Sequence, residues 1–190
     1  MSDFPFRIVG FDLDGTLIDT AEDLRLSANH ALALADIPPL TPEQIRSAIG
    51  GGAMKMLQRG VELAGASNVP DALFETMYAA FLAHYQDNIA VHSQPFPGAV
   101  ALLDQLDAMG VRYAVVTNKL ERFAQTLLDA LGIAPRLATL IGRDSLAAAK
   151  PDPLPILTMI ERCGAGPAVF VGDSHADIDA ARAAGIPSVA

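Results

Sequence analysis

Asp12 and Asp14 stand one residue apart at the end of the apolar run FRIVGF, and Gly15 and Thr16 follow at once. Strand geometry places residues two apart on one face, so both carboxylates point the same way with Leu13 opposite. Carboxylates held this close raise each other's pKa unless a cation sits among them. Magnesium is the natural candidate, a hard ion that takes one or two carboxylates, keeps several waters and is completed by a substrate phosphate. Thr117 and Asn118 follow the run VRYAVV, Lys150 lies in a later loop, and Asp173 follows AVFVG. Lys150 suits phosphate oxygens as a point charge and Thr117 as a hydroxyl donor.

The elements that must position these groups are legible around them. FRIVGF (6–11), VRYAVV (111–116), LATLIG (137–142) and AVFVG (168–172) are short, apolar and rich in β-branched or aromatic residues. That composition predicts strands buried on both faces. GAVALLDQLDAMG (98–110), ERFAQTLLDALG (121–132) and PLPILTMIERCG (153–164) have helical periodicity and close on glycine, the expected C-terminal residue of a helix. The alternation predicts an α/β fold with a doubly wound, parallel, Rossmann-like sheet flanked by helices. In such sheets ligands bind beyond the carboxyl ends of the strands, which is where the polar residues above fall.

Between the first strand and Gly98 only helical patterns occur, at 20–36, 42–65 with a break near Gly50, and 70–89. A stretch of about 75 residues is too long for an ordinary crossover. It predicts an inserted helical cap over 17–92, with a catalytic core formed by 1–16 and 93–190. HSQPFPG (92–98), with two prolines and a glycine, would carry the chain back to that core.

The 190 residues are 51% hydrophobic with a mean hydropathy of +0.31, enough for one α/β domain with an insertion or for two small domains. No apolar run approaches the ~20 residues of a membrane-spanning helix. Met1 to Phe6 lacks the basic and apolar regions of a signal peptide, and the single cysteine, Cys163, fits a reducing compartment. The expected location is therefore cytoplasmic. A net charge of −9 and a pI near 4.7 argue against nucleic-acid or membrane partners, whose surfaces demand clustered lysine and arginine. An anionic substrate must be held by local charge. Monomer and homodimer remain equally open.

DLDGT (12–16), VVTN (115–118), KPDP (150–153) and GDSHADIDAARAAG (172–185) resemble, in order, the four motifs of the haloacid dehalogenase superfamily of phosphohydrolases. The resemblance spans residues 8–187. PFPGAVALLDQL (95–106) and IRSAIGGGAMKML (45–57) are also similar to segments of its phosphoglycolate phosphatase group. The resemblance implies that Asp12 is a nucleophile forming an aspartyl-phosphate, and that Asp14 is the general acid and then the general base. It implies Mg²⁺ held by the Asp12 side chain, the Asp14 backbone carbonyl and the Asp173 carboxylate, with Asp177 supporting these ligands from behind. Thr117 and Lys150 match phosphate-binding positions, and Asn118 is grouped with them.

The implied reaction is hydrolysis of a small phosphorylated metabolite, with 2-phosphoglycolate the best specific choice. A sugar-phosphate phosphatase or a phosphomutase would use the same residues. From another class, an inactive binding protein would have no need of Asp12, Asp14, Lys150 and Asp173 together, and a receiver-like signalling domain would have no helical insertion. Members of the family usually continue for another strand and helix beyond GIPSVA (185–190). The chain therefore reads as a fragment or as a member without its last element, with one sheet edge uncovered.

Each residue also has an ordinary reading. Thr117 and Asn118 suit the N-cap of the helix at 121–132, and Lys150 before PDP suits a solvated loop. Asp177 and Asp179 fall in the first turn of a helix, where acidic residues are favoured; Asp179 reads as a surface residue. His175 reads as a solvated loop residue, His30, His84 and His92 lack ligand spacing, and Cys163 reads as a packed thiol. GGGA (50–53) either breaks two cap helices or lets backbone N–H groups approach a substrate carboxylate. In the second case Arg46, Gly51 and Lys55 are the cap candidates for substrate contact.

Overall fold

The structure, a computed structural model, describes residues 4–66 and 68–190. The chain divides into two compact units: one runs to Asp19 and resumes at Pro95, and the other is Thr20–Gln94. The chain enters the first unit as β1 (Ile8–Phe11) and passes a short strand β2 (Ile18–Asp19). The helical unit comprises α1 (Ala21–Ala33), α2 (Pro42–Arg46), α3 (Ala53–Leu63) and α4 (Asp71–Asp87). The chain returns through β3 (Gln94–Pro95) to α5 (Ala99–Ala108), β4 (Arg112–Val116), α6 (Glu121–Ala130) and β5 (Leu140–Ile141). It ends with α7 (Leu154–Arg162), β6 (Ala168–Val171), α8 (His175–Ala183) and β7 (Ser188–Val189).

The first unit is an α/β fold of Rossmann type. Its sheet is parallel, with strand order β5-β4-β1-β6-β7. Ile8 is level with both Arg112 and Ala168, and Phe11 with both Val115 and Val171. This register brings the carboxyl ends of β1, β4 and β6 to one height, so the residues after them share a crevice. Ile8, Val116, Ile141, Ile156, Met159 and Phe170 form one buried cluster beneath it, each contributing about 1.5–3 kcal/mol by leaving water. Gly10 makes that packing possible. A Cβ there would lie 2.4 Å from Met159 Sδ and 2.5 Å from Phe170 Cδ2, so only glycine lets α7 and β6 close against β1.

The structure departs from the expected elements in three places. β2 and β3 flank the helical stretch, where no strand was read, because two-residue strands are too short to produce any alternation. β5 is two residues long where six were expected, because its ladder to β4 holds only the pairs Val115–Leu140 and Val116–Ile141. The third difference lies in the helical unit, where the expected break near Gly50 becomes a six-residue gap between Arg46 and Ala53. Thr41 and Gln44 form a reciprocal capping box that starts α2, and Gly52, at φ +86°, turns the chain into α3. Within that unit α1 packs on α4. Buried Asp23 accepts hydrogen bonds from the His92 and Ser93 backbone N–H groups and from Ser93 Oγ, tying the returning chain to α1. Among the described residues no helix is long and apolar enough to cross a membrane.

Candidate active site

Asp12 continues β1, its N–H donating to Val171 O at 2.8 Å, and its side chain is buried. The chain then turns tightly around Leu13 O, which accepts from the N–H groups of Thr16, Leu17 and Ile18. Gly15 sits in this turn at φ +86°, and a Cβ on it would lie 2.5 Å from Asp173 Oδ2. Thr16 Oγ1 donates to Asp173 Oδ1 at 2.9 Å. The Gly-Thr pair that trails the two aspartates therefore makes room for Asp173 and orients it.

Beyond β6, Gly172 has the same function for Asp177. A Cβ at Gly172 would meet Asp177 Cγ at 2.5 Å. Asp177 completes a capping box at the start of α8, accepting from Ser174 N–H at 2.9 Å and Ser174 Oγ at 2.6 Å on one oxygen. Its other oxygen accepts from Lys150 Nζ at 2.5 Å.

Lys150 is not the solvated loop residue of its ordinary reading. Its side chain is 1% exposed, and Nζ reaches Val116 O at 2.6 Å, Asp177 at 2.5 Å and Asp12 Oδ1 at 2.9 Å. It also lies 5.1 Å above the Phe170 ring, a position that favours a cation. Thr117 and Asn118 are likewise buried, and they do not cap α6. The helix is preceded by Leu120, which makes no side-chain capping bond, and Asp144 instead accepts from the Glu121 N–H at 2.8 Å. Thr117 Oγ1 accepts from Lys119 N–H at 3.2 Å, and Asn118 Nδ2 donates to Lys150 O at 3.1 Å. Asn118 thus ties the β4 end to the Lys150 loop.

Oxygens of Asp12, Asp173 and Asp177 lie within 4.8 Å of one another. Burial pushes the Asp12 carboxyl up to about 6; Lys150 opposes the rise, while Asp177 and Asp14 add to it. Asp12 Oδ1 is buried, and its 2.9 Å contact with Lys150 Nζ is an ion pair outside hydrogen-bond angles. Four carboxylates, Asp12, Asp14, Asp173 and Asp177, face two ammonium groups, Lys119 and Lys150. The formal excess is two negative charges. An all-oxygen donor set with that excess fits a hard divalent cation such as Mg²⁺. Because Lys150 and Ser174 engage both oxygens of Asp177, the lone pairs open to a cation belong mainly to Asp12 and Asp173.

Arg46 ends α2, Gly51 precedes the first residue of α3 by two positions, and Lys55 lies in the first turn of α3. All three belong to the helical unit. A Cβ on Gly51 would lie 3.2 Å from Lys55 Cβ, so the lysine's own stem fills that space. His175 is exposed at the start of α8, and Asp179 pairs with Arg182 at 3.1 Å on the surface. Cys163 is buried, and burial raises its thiol pKa.

Three participants were not singled out from the sequence: Thr16, Ser174 and Lys119. Ser174 carried a local signal, three residues before Asp177 in capping-box spacing. Lys119 carried only its place after a strand end. Its Nζ lies 2.7 and 2.8 Å from the two oxygens of Asp14.

Comparison with known proteins gives the family. The family profile of the haloacid dehalogenase-like hydrolases matches residues 9–190. A phosphoglycolate phosphatase of Agrobacterium fabrum is 40% identical over 181 residues, 94% of this chain and 77% of that one. Another, from Xylella fastidiosa strain 9a5c, is 43% identical over 188 residues, 98% of this chain and 80% of that one. The crystal structure of a "predicted phosphoglycolate phosphatase" from Haemophilus somnus 129pt superposes with a TM-score of 0.89 at 34% identity, covering 98% of this chain and 85% of that one. With carboxylates and a buried lysine gathered at the strand ends of a parallel sheet, and with these relatives, the chain belongs to the haloacid dehalogenase-like hydrolases.

Proposed function

We propose that this phosphatase hydrolyses 2-phosphoglycolate, in a Mg²⁺-dependent reaction, through an aspartyl-phosphate on Asp12. The observation that carries the reading is the buried Lys150 ammonium shared by Asp12 and Asp177, with Asp173 in the same cluster of oxygens. The choice of ester rests on the names of the relatives.

In this reading an Asp12 oxygen attacks phosphorus and the ester P–O bond breaks. Asp14 gives its proton to the departing alkoxide, then takes one from a water whose oxygen displaces Asp12 from phosphorus. Glycolate and inorganic phosphate are the products. Lys150 holds Asp12 in place and favours its ionised form. Thr117 offers its hydroxyl to a phosphoryl oxygen, and Asn118 keeps the Lys150 loop in register. The Asp12 and Asp173 carboxylates and the Asp14 backbone carbonyl would hold Mg²⁺, with Asp177 supporting them. When bound, Mg²⁺ supplies positive charge against the charge that develops on the phosphoryl oxygens. The helical unit is the cap of this reading, and Arg46, Gly51 and Lys55 are its candidates for the substrate carboxylate.

The test is phosphate release from a panel of small esters, with Mg²⁺ or EDTA, in the wild type and in Asp12→Asn. The expected result is Mg²⁺-dependent release, highest with 2-phosphoglycolate and lost on substitution. Release that survives Asp12→Asn would remove the covalent mechanism, and preference for a sugar phosphate would reassign the substrate. Unchanged KM and ester preference in Arg46→Ala and Gly51→Val would remove the cap assignments.

A further inference from the structure

We propose that Lys119 is a positioning residue that fixes the carboxylate of Asp14 for the proton it takes from water. The proposal rests on the reading of Asp14 as acid and base. Three observations carry it. Lys119 Nζ contacts both oxygens of Asp14, at 2.7 and 2.8 Å, so the ammonium sits across the carboxylate and restrains its rotation as well as its distance. The pair is largely closed to water, with side chains 5% and 14% exposed, and in such surroundings a charged hydrogen bond holds its geometry firmly. The base of the lysine is itself anchored, because Thr117 Oγ1 accepts from its N–H at 3.2 Å.

The other lysine cannot serve this purpose. Lys150 is already occupied by Val116 O, Asp177 and Asp12. The site therefore assigns one ammonium to the nucleophile and its supporting carboxylate, and the second to the group that moves protons. Without Lys119 the Asp14 carboxylate would lose the ammonium that spans both of its oxygens and would still face the like charge of Asp12. Proton transfer is sensitive to such displacement, since donor and acceptor must meet at hydrogen-bond distance.

The experiment compares Lys119→Met and Lys119→Arg with the wild type on 2-phosphoglycolate and on p-nitrophenyl phosphate, with Asp14→Asn and the double variant Asp14→Asn/Lys119→Met alongside. For Lys119→Met on 2-phosphoglycolate, kcat is expected to fall about 100-fold, the lower end of a general acid–base contribution, with KM little changed. Lys119→Arg restores most of the loss. On p-nitrophenyl phosphate the leaving group departs without a proton, so the first step survives and the water step lags. Lys119→Met is then expected to show a rapid burst of about one p-nitrophenol per site before slow turnover. In the Asp14→Asn background the lysine substitution adds no further loss, which is the sign of a residue acting through Asp14.

The proposal is overturned if Lys119→Met keeps wild-type kcat, changes only KM, or slows Asp14→Asn as much as it slows the wild type. Should Lys119→Met fail to fold, Lys119→Gln takes its place in both backgrounds: a loss of kcat seen only with Asp14 intact supports the proposal, and an equal loss in both defeats it. Asp12→Asn separates the two readings. If it remains active, the reaction assigned above is wrong; if it is inactive while Lys119→Met is normal, only the positioning inference fails.

Discussion

Lys150 carries the electrostatics of the site at the scale of a single residue. With its side chain 1% exposed against two carboxylates, replacement by methionine would leave like charges buried without their partner. Lys150→Met is expected to cost about 3–5 kcal/mol, read as a lower urea midpoint in EDTA; an unchanged midpoint would mean that the carboxylates protonate or relax. Two glycines separate steric from backbone effects. Gly172→Ala drives a Cβ to 2.5 Å from Asp177 Cγ, so a loss of about 1–3 kcal/mol is expected together with loss of turnover. Gly185, at φ +74°, has nothing within 4 Å of a built Cβ. Its alanine variant should lose only the left-handed backbone preference, about 1–2 kcal/mol, and keep kcat.

Among the elements, α1 owes its attachment to the returning chain to Asp23. Removing that carboxylate in Asp23→Ala leaves the buried donors of Ser93 and the part-buried N–H of His92 without this acceptor, an expected loss of about 3 kcal/mol visible in thermal melting. His84 of α4 gives the same unit a pH dependence. Burial, with His30 stacked at 4.7 Å, lowers its pKa below the ordinary 6.5, and Asp87 only partly opposes this. The fold favours the neutral ring, so its contribution is complete above pH 6.5 and is lost as pH falls through the lowered folded value. The melting temperature should therefore drop more steeply below pH 6.5 in the wild type than in His84→Gln. Parallel profiles would show that the ring does not couple to stability.

For the whole molecule, the charge of −9 opposes the approach of the proposed anionic ester, and the buried ammonium groups of Lys119 and Lys150 supply a local attraction. Screening acts over about 10 Å at 0.1 M salt, so it relieves the general repulsion more than it weakens buried contacts. At saturating Mg²⁺, kcat/KM for 2-phosphoglycolate should rise modestly as salt increases. A fall would show that exposed basic residues of the helical unit steer the substrate.

The sequence by itself determined the parallel α/β core and the polar residues that stand beyond its strand ends. Strand and helix periodicities are local, and the residues just past each strand are read directly from them; Asp12, Asp14, Thr117, Lys150 and Asp173 were all found in this way. Tertiary structure alone decided how those groups are shared. Lys119 meets Asp14 across 105 positions and Thr16 meets Asp173 across 157, and a pair so remote leaves no spacing or period in the chain. The same holds for Thr117 and Asn118, whose residue types suit a helix cap as well as a strand end. Only the packed neighbours, Lys119 N–H and Lys150 O, distinguish the two.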